Sequence, residues 1–203
     1  MSKVLERDFF LQTDVVRIAR DLIGKVLVTG RGRTLTSGII TETEAYAGAT
    51  DRASHAYAGR RTARNENMYA PGGIAYVYKC YGIHDLFNVV TNHRDVPHAV
   101  LVRALQPLHG EALMRSRRGP KAKGMSFGEL SGGPGKLTTA LGITLQHNGM
   151  DLLSGTVRLE DHGIVVPTSD ILVGPRIGVD YAGDDALLPY RFRVHPEHSF
   201  APR

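Results

Sequence analysis

The sequence predicts an α+β fold in a single domain spanning residues 1–203, and three observations lead there. Strand-like runs at 25–29, 38–46, 74–78, 86–91 and 99–105 follow one another across turns, without regular crossover helices, which favours antiparallel pairing over a doubly wound sheet. Helical periodicity is confined to a few short stretches placed before and after those runs. A chain of 203 residues can bury one core and is short for two, and no long linker divides it.

The elements follow in chain order. Thr13 or Asp14 can cap a helix whose apolar stripe is Val15, Ile18, Ala19, Leu22 and Ile23, ending at Gly24. The stretch from Gly48 to Gly73 carries His55, Arg60, Arg61, Arg64 and Asn65 with little strand or helix period, as expected of a binding loop or lid. A second helix is expected over 110–117, leading into a basic run of Arg115, Arg117, Arg118, Lys121 and Lys123, and a third begins near Lys136. The C-terminal third alternates short strands with Gly and Pro, as in Gly174-Pro175-Arg176-Ile177-Gly178-Val179, and is expected to complete the sheet. His195 and His198 lie in a terminal segment expected to fray.

Polar groups on otherwise apolar strands are the informative feature. In the run 40–46 a period of two places Ile40, Glu42, Glu44 and Tyr46 on one face. Arg103 shares a face with Ala99, Leu101 and Leu105, and so points at packed surface and calls for an acidic partner. Asn88 sits with Leu86 and Val90, where its amide must be satisfied or must read something. Taken singly, each is as well explained by a structural ion pair or strand hydrogen bond.

Composition narrows the partners. The chain has 25 Lys+Arg against 20 Asp+Glu, a formal charge of +5, which favours an anionic partner such as nucleic acid. Its single cysteine, Cys80, excludes an internal disulfide and reads as a small core residue. Neither a signal-peptide core nor a run approaching 18 apolar residues occurs, so a cytoplasmic protein with no membrane partner is expected. No His or Cys spacing suits a metal, and no cofactor is expected. Ser131-Gly132-Gly133-Pro134-Gly135-Lys136-Leu137 lacks the Gly and Ser/Thr of a nucleotide-binding loop, yet a Gly-rich turn opening a helix, with Lys136, suits one backbone phosphate. Arg60, Arg61 and Arg64 form one candidate phosphate patch and the run 115–123 a second. Tyr46, Tyr78 and His55 can wall a slot for a planar, cationic ring near Glu44, and Tyr81 can wedge into a base stack.

The runs Glu42-Thr43-Glu44-Ala45-Tyr46, Ser54-His55, Arg64-Asn65, Pro71-Gly72, Tyr76-Val77-Tyr78, Tyr81-Gly82, Phe87-Asn88-Val89 and Leu101-Val102-Arg103-Ala104-Leu105 resemble the alkyladenine (3-methyladenine, methylpurine) DNA glycosylase family. The resemblance continues through 131–137 and 175–179, and so spans nearly the whole chain. It implies a curved, mainly antiparallel sheet flanked by helices, similar to the formyltransferase C-terminal-domain-like fold. It implies a monofunctional hydrolase that flips alkylated or deaminated purines out of double-stranded DNA and leaves an abasic site. Glu44 matches the family's general base and Arg103 the arginine that helps hold the attacking water, with the Ile177 backbone carbonyl as a third contact. Tyr46, His55 and Tyr78 match the residues that sandwich the base, Asn88 the one that rejects guanine, and Tyr81 the intercalating residue.

Arg60, Arg64 and Lys136 are the expected phosphate contacts. Asp85, four residues past Tyr81, is awkward beside phosphate. The facing argument cannot separate Glu42 from Glu44; only the resemblance selects Glu44. A monomer associated with the nucleoid through DNA is the simplest expectation, and a noncatalytic nucleic-acid-binding module, in which Glu44 and Arg103 only hold the sheet, is the alternative.

Overall fold

A computed structural model describes residues 2–198 and 200. After a two-residue strand, β1 (Lys3–Val4), and one helical turn, α1 (Arg7–Phe10), the apolar stripe forms α2 (Val15–Asp21). Asp14, not Thr13, caps it, accepting from the backbone N–H groups of Val16 and Arg17 at 3.0 Å each. Beyond the helix Gly24 takes φ +84°, where a side chain would be strained and its Cβ would sit 3.0 Å from the Ile164 carbonyl oxygen.

Every strand pairing is antiparallel, as expected. The strands are β2 (Val26–Thr29), β3 (Thr36–Tyr46), β4 (Ala75–Cys80), β5 (His84–Thr91), β6 (His98–His109), β7 (Val157–Asp161), β8 (Ile171–Gly174) and β9 (Arg191–Val194). They join β1 in one sheet ordered β1-β7-β2-β3-β6-β5-β4, with β9 and then β8 branching from β3. The branch arises because β3 changes neighbours along its length. Thr36–Ile39 pairs with β2 and Glu42–Glu44 pairs with β9, while β6 runs along the other edge. The sheet therefore curls into a half-barrel.

That change of partner corrects the expected faces. Between Ile40 and Thr43 the β3/β6 register shifts twice, leaving Thr41 on β3 and Arg103 on β6 as extra residues. Each bulge reverses the alternation. Ile40 lies in the main core with Ala45 and so is not on the face of Glu42, Glu44 and Tyr46. Leu105 likewise joins that core, while Ala99, Leu101 and Arg103 face the opposite side. Thr43, on the core face, donates its hydroxyl to the Ala19 carbonyl at 2.7 Å and ties β3 to α2.

The helices α3 (Glu111–Arg118), α4 (Phe127–Ser131) and α5 (Pro134–Leu141) join α2 in that core through Met114, Leu130, Leu137 and Leu141, packed with Val100, Val102, Phe87 and Val89 of the sheet. The sequence reading missed α4, which Ser126 and Glu129 open with a reciprocal capping box. The Gly-rich turn thus lies between two helices, and α5 starts at Pro134, slightly before the expected position. Its backbone serves β6: Gly133 N–H donates to the Arg103 carbonyl at 2.9 Å, and the Ser131 hydroxyl to the Leu105 carbonyl at 2.6 Å. The segment pins the bulge from which Arg103 projects.

The stretch from Gly48 to Gly73 holds only short 3₁₀ turns, at Gly48–Thr50, Tyr57–Gly59 and Glu66–Tyr69. The C-terminal segment does not fray at His198, whose Nδ1 lies 2.7 Å from Asp170. Only Gly174 of the run 174–179 is in a strand; the rest is loop. Among the described residues no helix is long and apolar enough to cross a membrane.

Candidate active site

The polar face of β3, β6, β5 and β4 lines a cavity of about 450 Å³, closed on the far side by the loop after β8. Its walls include Tyr46, His55, Tyr76, Tyr78, Asn88, Leu101, Arg103 and Ile177, so the expected base-contacting residues, separated by up to 131 positions between Tyr46 and Ile177, converge on one space.

Glu44 lies at this face with no exposed surface. Its Oε2 accepts from the Tyr46 hydroxyl at 2.9 Å and from Arg103 Nη1 at 3.2 Å, and its Oε1 accepts at 2.8 Å from the backbone N–H of Ile177, so the contact Ile177 makes with Glu44 is through its N–H and not the expected carbonyl, which has no proton to donate to a carboxylate. An ionised carboxylate offers about four acceptor positions, so one on Oε1 is left for a further donor. Burial pushes the Glu44 carboxyl above its usual range, and the guanidinium of Arg103 pulls the other way. Burial likewise raises Tyr46 well above the ordinary phenol range and moves Tyr76 up to about 12, so both stay protonated at neutral pH. The structure separates the two glutamates: Glu42 is bound by Arg103 Nε at 3.1 Å and by Arg191 Nε at 2.6 Å, whereas Glu44 is held by Tyr46, Arg103 and Ile177, all of which line the cavity.

The aromatic wall is held edge to face. The His55 ring centre lies 4.5 Å from that of Tyr78 at 72°, and His55 Nδ1 is 2.8 Å from the Tyr76 hydroxyl. Burial, then Arg64 and Arg60, lower the His55 pKa and favour the neutral ring. Asn88 is buried and donates to the Tyr76 carbonyl at 3.1 Å, which fixes its amide against the strand. Tyr81 stands at the β4–β5 turn with φ +49° and 90% of its surface exposed. A large aromatic held out in water at a turn tip, on the rim of an aromatic cavity, is poised for stacking.

Several residues were not singled out by sequence. Arg176 is fully buried, forks the Asp51 carboxylate, and lies 4.8 Å over the Tyr46 ring and 5.2 Å from that of Tyr190. Its place directly before Ile177 was the available signal; nothing local indicated Asp51. Tyr181, 72% exposed, lines the cavity mouth and donates its hydroxyl to the Ala53 carbonyl at 3.1 Å. Cys80 is half-buried on the cavity wall, not in the core as expected.

A second cavity of about 380 Å³ adjoins the first and shares Ser54, His55, Arg64 and Tyr181 with it. Arg52, Arg60 and Arg64 line it, and none of its lining residues is acidic. The expected phosphate patches are reduced. Arg61 is engaged by Glu66 and Asp95 at 2.6 and 2.7 Å. Arg115 and Arg117 are spent on Glu111, Thr36 and nearby carbonyls. Arg60, Arg64 and Lys136 have exposed side chains. Asp85 is neutralised by Lys79 at 2.7 Å, which removes the expected conflict beside the Tyr81 turn.

Comparison with known proteins gives the family. The family model described as methylpurine-DNA glycosylase (MPG) matches residues 8–198. A Chlamydia abortus protein is 48% identical over 95% of this chain and 98% of its own length. Others from Methanocella arvoryzae and Bacillus mycoides are 46% and 40% identical, over 93% and 96% of this chain and 91% and 97% of theirs. Each of the three is named "Putative 3-methyladenine DNA glycosylase".

Proposed function

The chain belongs to the methylpurine-DNA glycosylase family, and from that premise we propose that it excises alkylated or deaminated purines from double-stranded DNA by hydrolysing the N-glycosidic bond. The observation that carries this reading is Glu44, a carboxylate buried directly behind the aromatic cavity, held by three groups that line it (Tyr46, Arg103 and Ile177) and with one acceptor position unfilled.

In this reading a damaged purine turns out of the duplex and stacks among Tyr46, His55 and Tyr78, while Tyr81 enters the gap it leaves. Alkylation at N3 or N7 makes the purine cationic, so it departs without strong acid catalysis, and the face of a phenol ring attracts such a cation. Water at the free Glu44 acceptor position loses its proton to that carboxylate as it attacks the sugar carbon. Arg103 and the Ile177 backbone hold the carboxylate, and Tyr46 supplies both a stacking face and a hydrogen bond. The amide of Asn88, fixed by the Tyr76 carbonyl, crowds the amino group of an undamaged guanine. Arg60, Arg64 and Lys136 take backbone phosphates, with the basic second cavity receiving one flank of the strand. No lysine or terminal amine is assigned as nucleophile, so the product is an intact abasic strand.

The test is release of free base from duplex DNA carrying alkylated purines, with EDTA in one arm. Wild type should release base at a rate EDTA does not change. Glu44→Gln should lower that rate by about 10² to 10⁴-fold and retain DNA binding. Full activity in Glu44→Gln refutes the assignment of the base. Salt-sensitive binding without release from any substrate favours a noncatalytic nucleic-acid-binding module, and a borohydride-trapped adduct refutes the monofunctional assignment.

A further inference from the structure

The site holds two acids and two arginines where the proposed reaction uses one of each. Oε1 of Glu42, whose side chain is 13% exposed, accepts from Arg191 Nε at 2.6 Å and from Arg103 Nε at 3.1 Å, and Arg103 Nη1 reaches Glu44 at 3.2 Å. The groups make an alternating row, Arg191, Glu42, Arg103, Glu44, in which each inner member touches two of opposite sign. The row crosses three strands, β9, β3 and β6, at the double bulge, and Arg191 is the β9 residue in register with Glu44. A guanidinium held through Nε as well as Nη1 has its plane fixed, because its donors form a rigid fork; held at one end, it can swing.

From this row we infer that Glu42 and Arg191 are positioning residues: Glu42 orients the Arg103 fork toward Glu44, and Arg191 neutralises Glu42 so that the Arg103 charge stays directed at Glu44. The inference rests on Glu44 being the base. The charged and titratable groups that face Glu44 are Arg103 from β6, Glu42 and Tyr46 from β3, Tyr78 from β4, Arg176 before Ile177, and Arg191 across from it on β9. Glu42 pushes the Glu44 carboxyl up, against the pull of Arg103. Removing the Glu42 charge should therefore lower the pH at which Glu44 ionises, and removing the Arg191 charge should raise it by leaving Glu42 under-neutralised. A pair that only stabilised the sheet would change the melting temperature without moving the pH profile in opposite directions.

The experiment is single-turnover base release against pH for wild type, Glu42→Gln, Arg191→Gln and Arg191→Lys, with a melting temperature for each. Glu42→Gln should lower the plateau rate on the order of 10²-fold, as misplaced catalytic groups do, and shift the acid limb to lower pH. Arg191→Gln should shift that limb to higher pH by up to about one unit, and Arg191→Lys should return it toward wild type. If Glu42→Gln does not fold, the contrast between Arg191→Gln and Arg191→Lys decides alone. An unmoved acid limb in all folded variants, with wild-type release intact, overturns the inference and leaves the proposed function standing. A wild type that releases no base overturns the function, and this inference falls with it.

Discussion

Tyr46 touches two buried acid–arginine pairs that differ in everything except composition. On one side Asp51 meets Arg176, both side chains essentially without exposure. Asp51 Oδ2 accepts from the Ala47 N–H and Arg176, and Oδ1 from the Ala53 N–H and Arg176, so all of about four acceptor positions are filled. On the other side Glu44 has three partners, one arginine contact that is longer, and a cavity beside it. The difference teaches that burial and pairing alone do not tell the two carboxylates apart; what does is that Glu44 keeps one acceptor position unfilled and that its three partners all line the cavity. The filled pair braces the other, because Arg176 also donates to the Ala45 carbonyl and directly precedes Ile177, whose N–H reaches Glu44.

The largest separation between the two should appear in stability. Asp51→Ala leaves the Arg176 charge buried and unpaired and should cost about 3–5 kcal/mol, read as a lowered urea midpoint. Glu44→Gln should not: Arg103 keeps Glu42, the amide oxygen can still accept, and the burial penalty on a carboxylate is removed. A Glu44→Gln loss as large as that of Asp51→Ala would erase the contrast and make Glu44 a structural group.

The pH dependence sharpens it further. Because the folded carboxyl of Glu44 titrates above its ordinary value, ionising it opposes folding as pH rises through that range. The stability of wild type relative to Glu44→Gln should thus be greatest at low pH and decline as pH rises. Base release should do the reverse, falling about tenfold per pH unit once the pH is below the raised Glu44 value. Parallel profiles for stability difference and rate would contradict the sign of the shift.

Smaller effects test the surroundings. Tyr76→Phe removes the hydrogen-bond partner of His55 Nδ1 and should cost about 1 kcal/mol in stability, with base capture weakened by a loosened ring. Arg60→Ala should reduce the slope of log affinity against log salt by about one, while Arg61→Ala should leave it unchanged because Glu66 and Asp95 already occupy that guanidinium. Equal slopes for the two variants would show that intramolecular pairing does not decide which arginines meet phosphate.

The sequence by itself determined the strand runs, the helix capped by Asp14, and the placing of Glu44, Tyr46 and Arg103 on polar positions of apolar strands, since alternation and capping are properties of neighbouring residues. It determined the candidate residues of the cavity through their motifs. It did not determine that Ile40 and Leu105 face away from those groups, because a bulge is decided where two strands meet and pairing partners change. Nor did it determine the partners of the charges. Arg176 finds Asp51 125 residues away, and Arg191 finds Glu42 149 residues away. Only the curled sheet brings them within ion-pair reach, and that closeness decides which acid has every acceptor position filled, which is shared between two arginines, and which keeps one position unfilled behind the cavity.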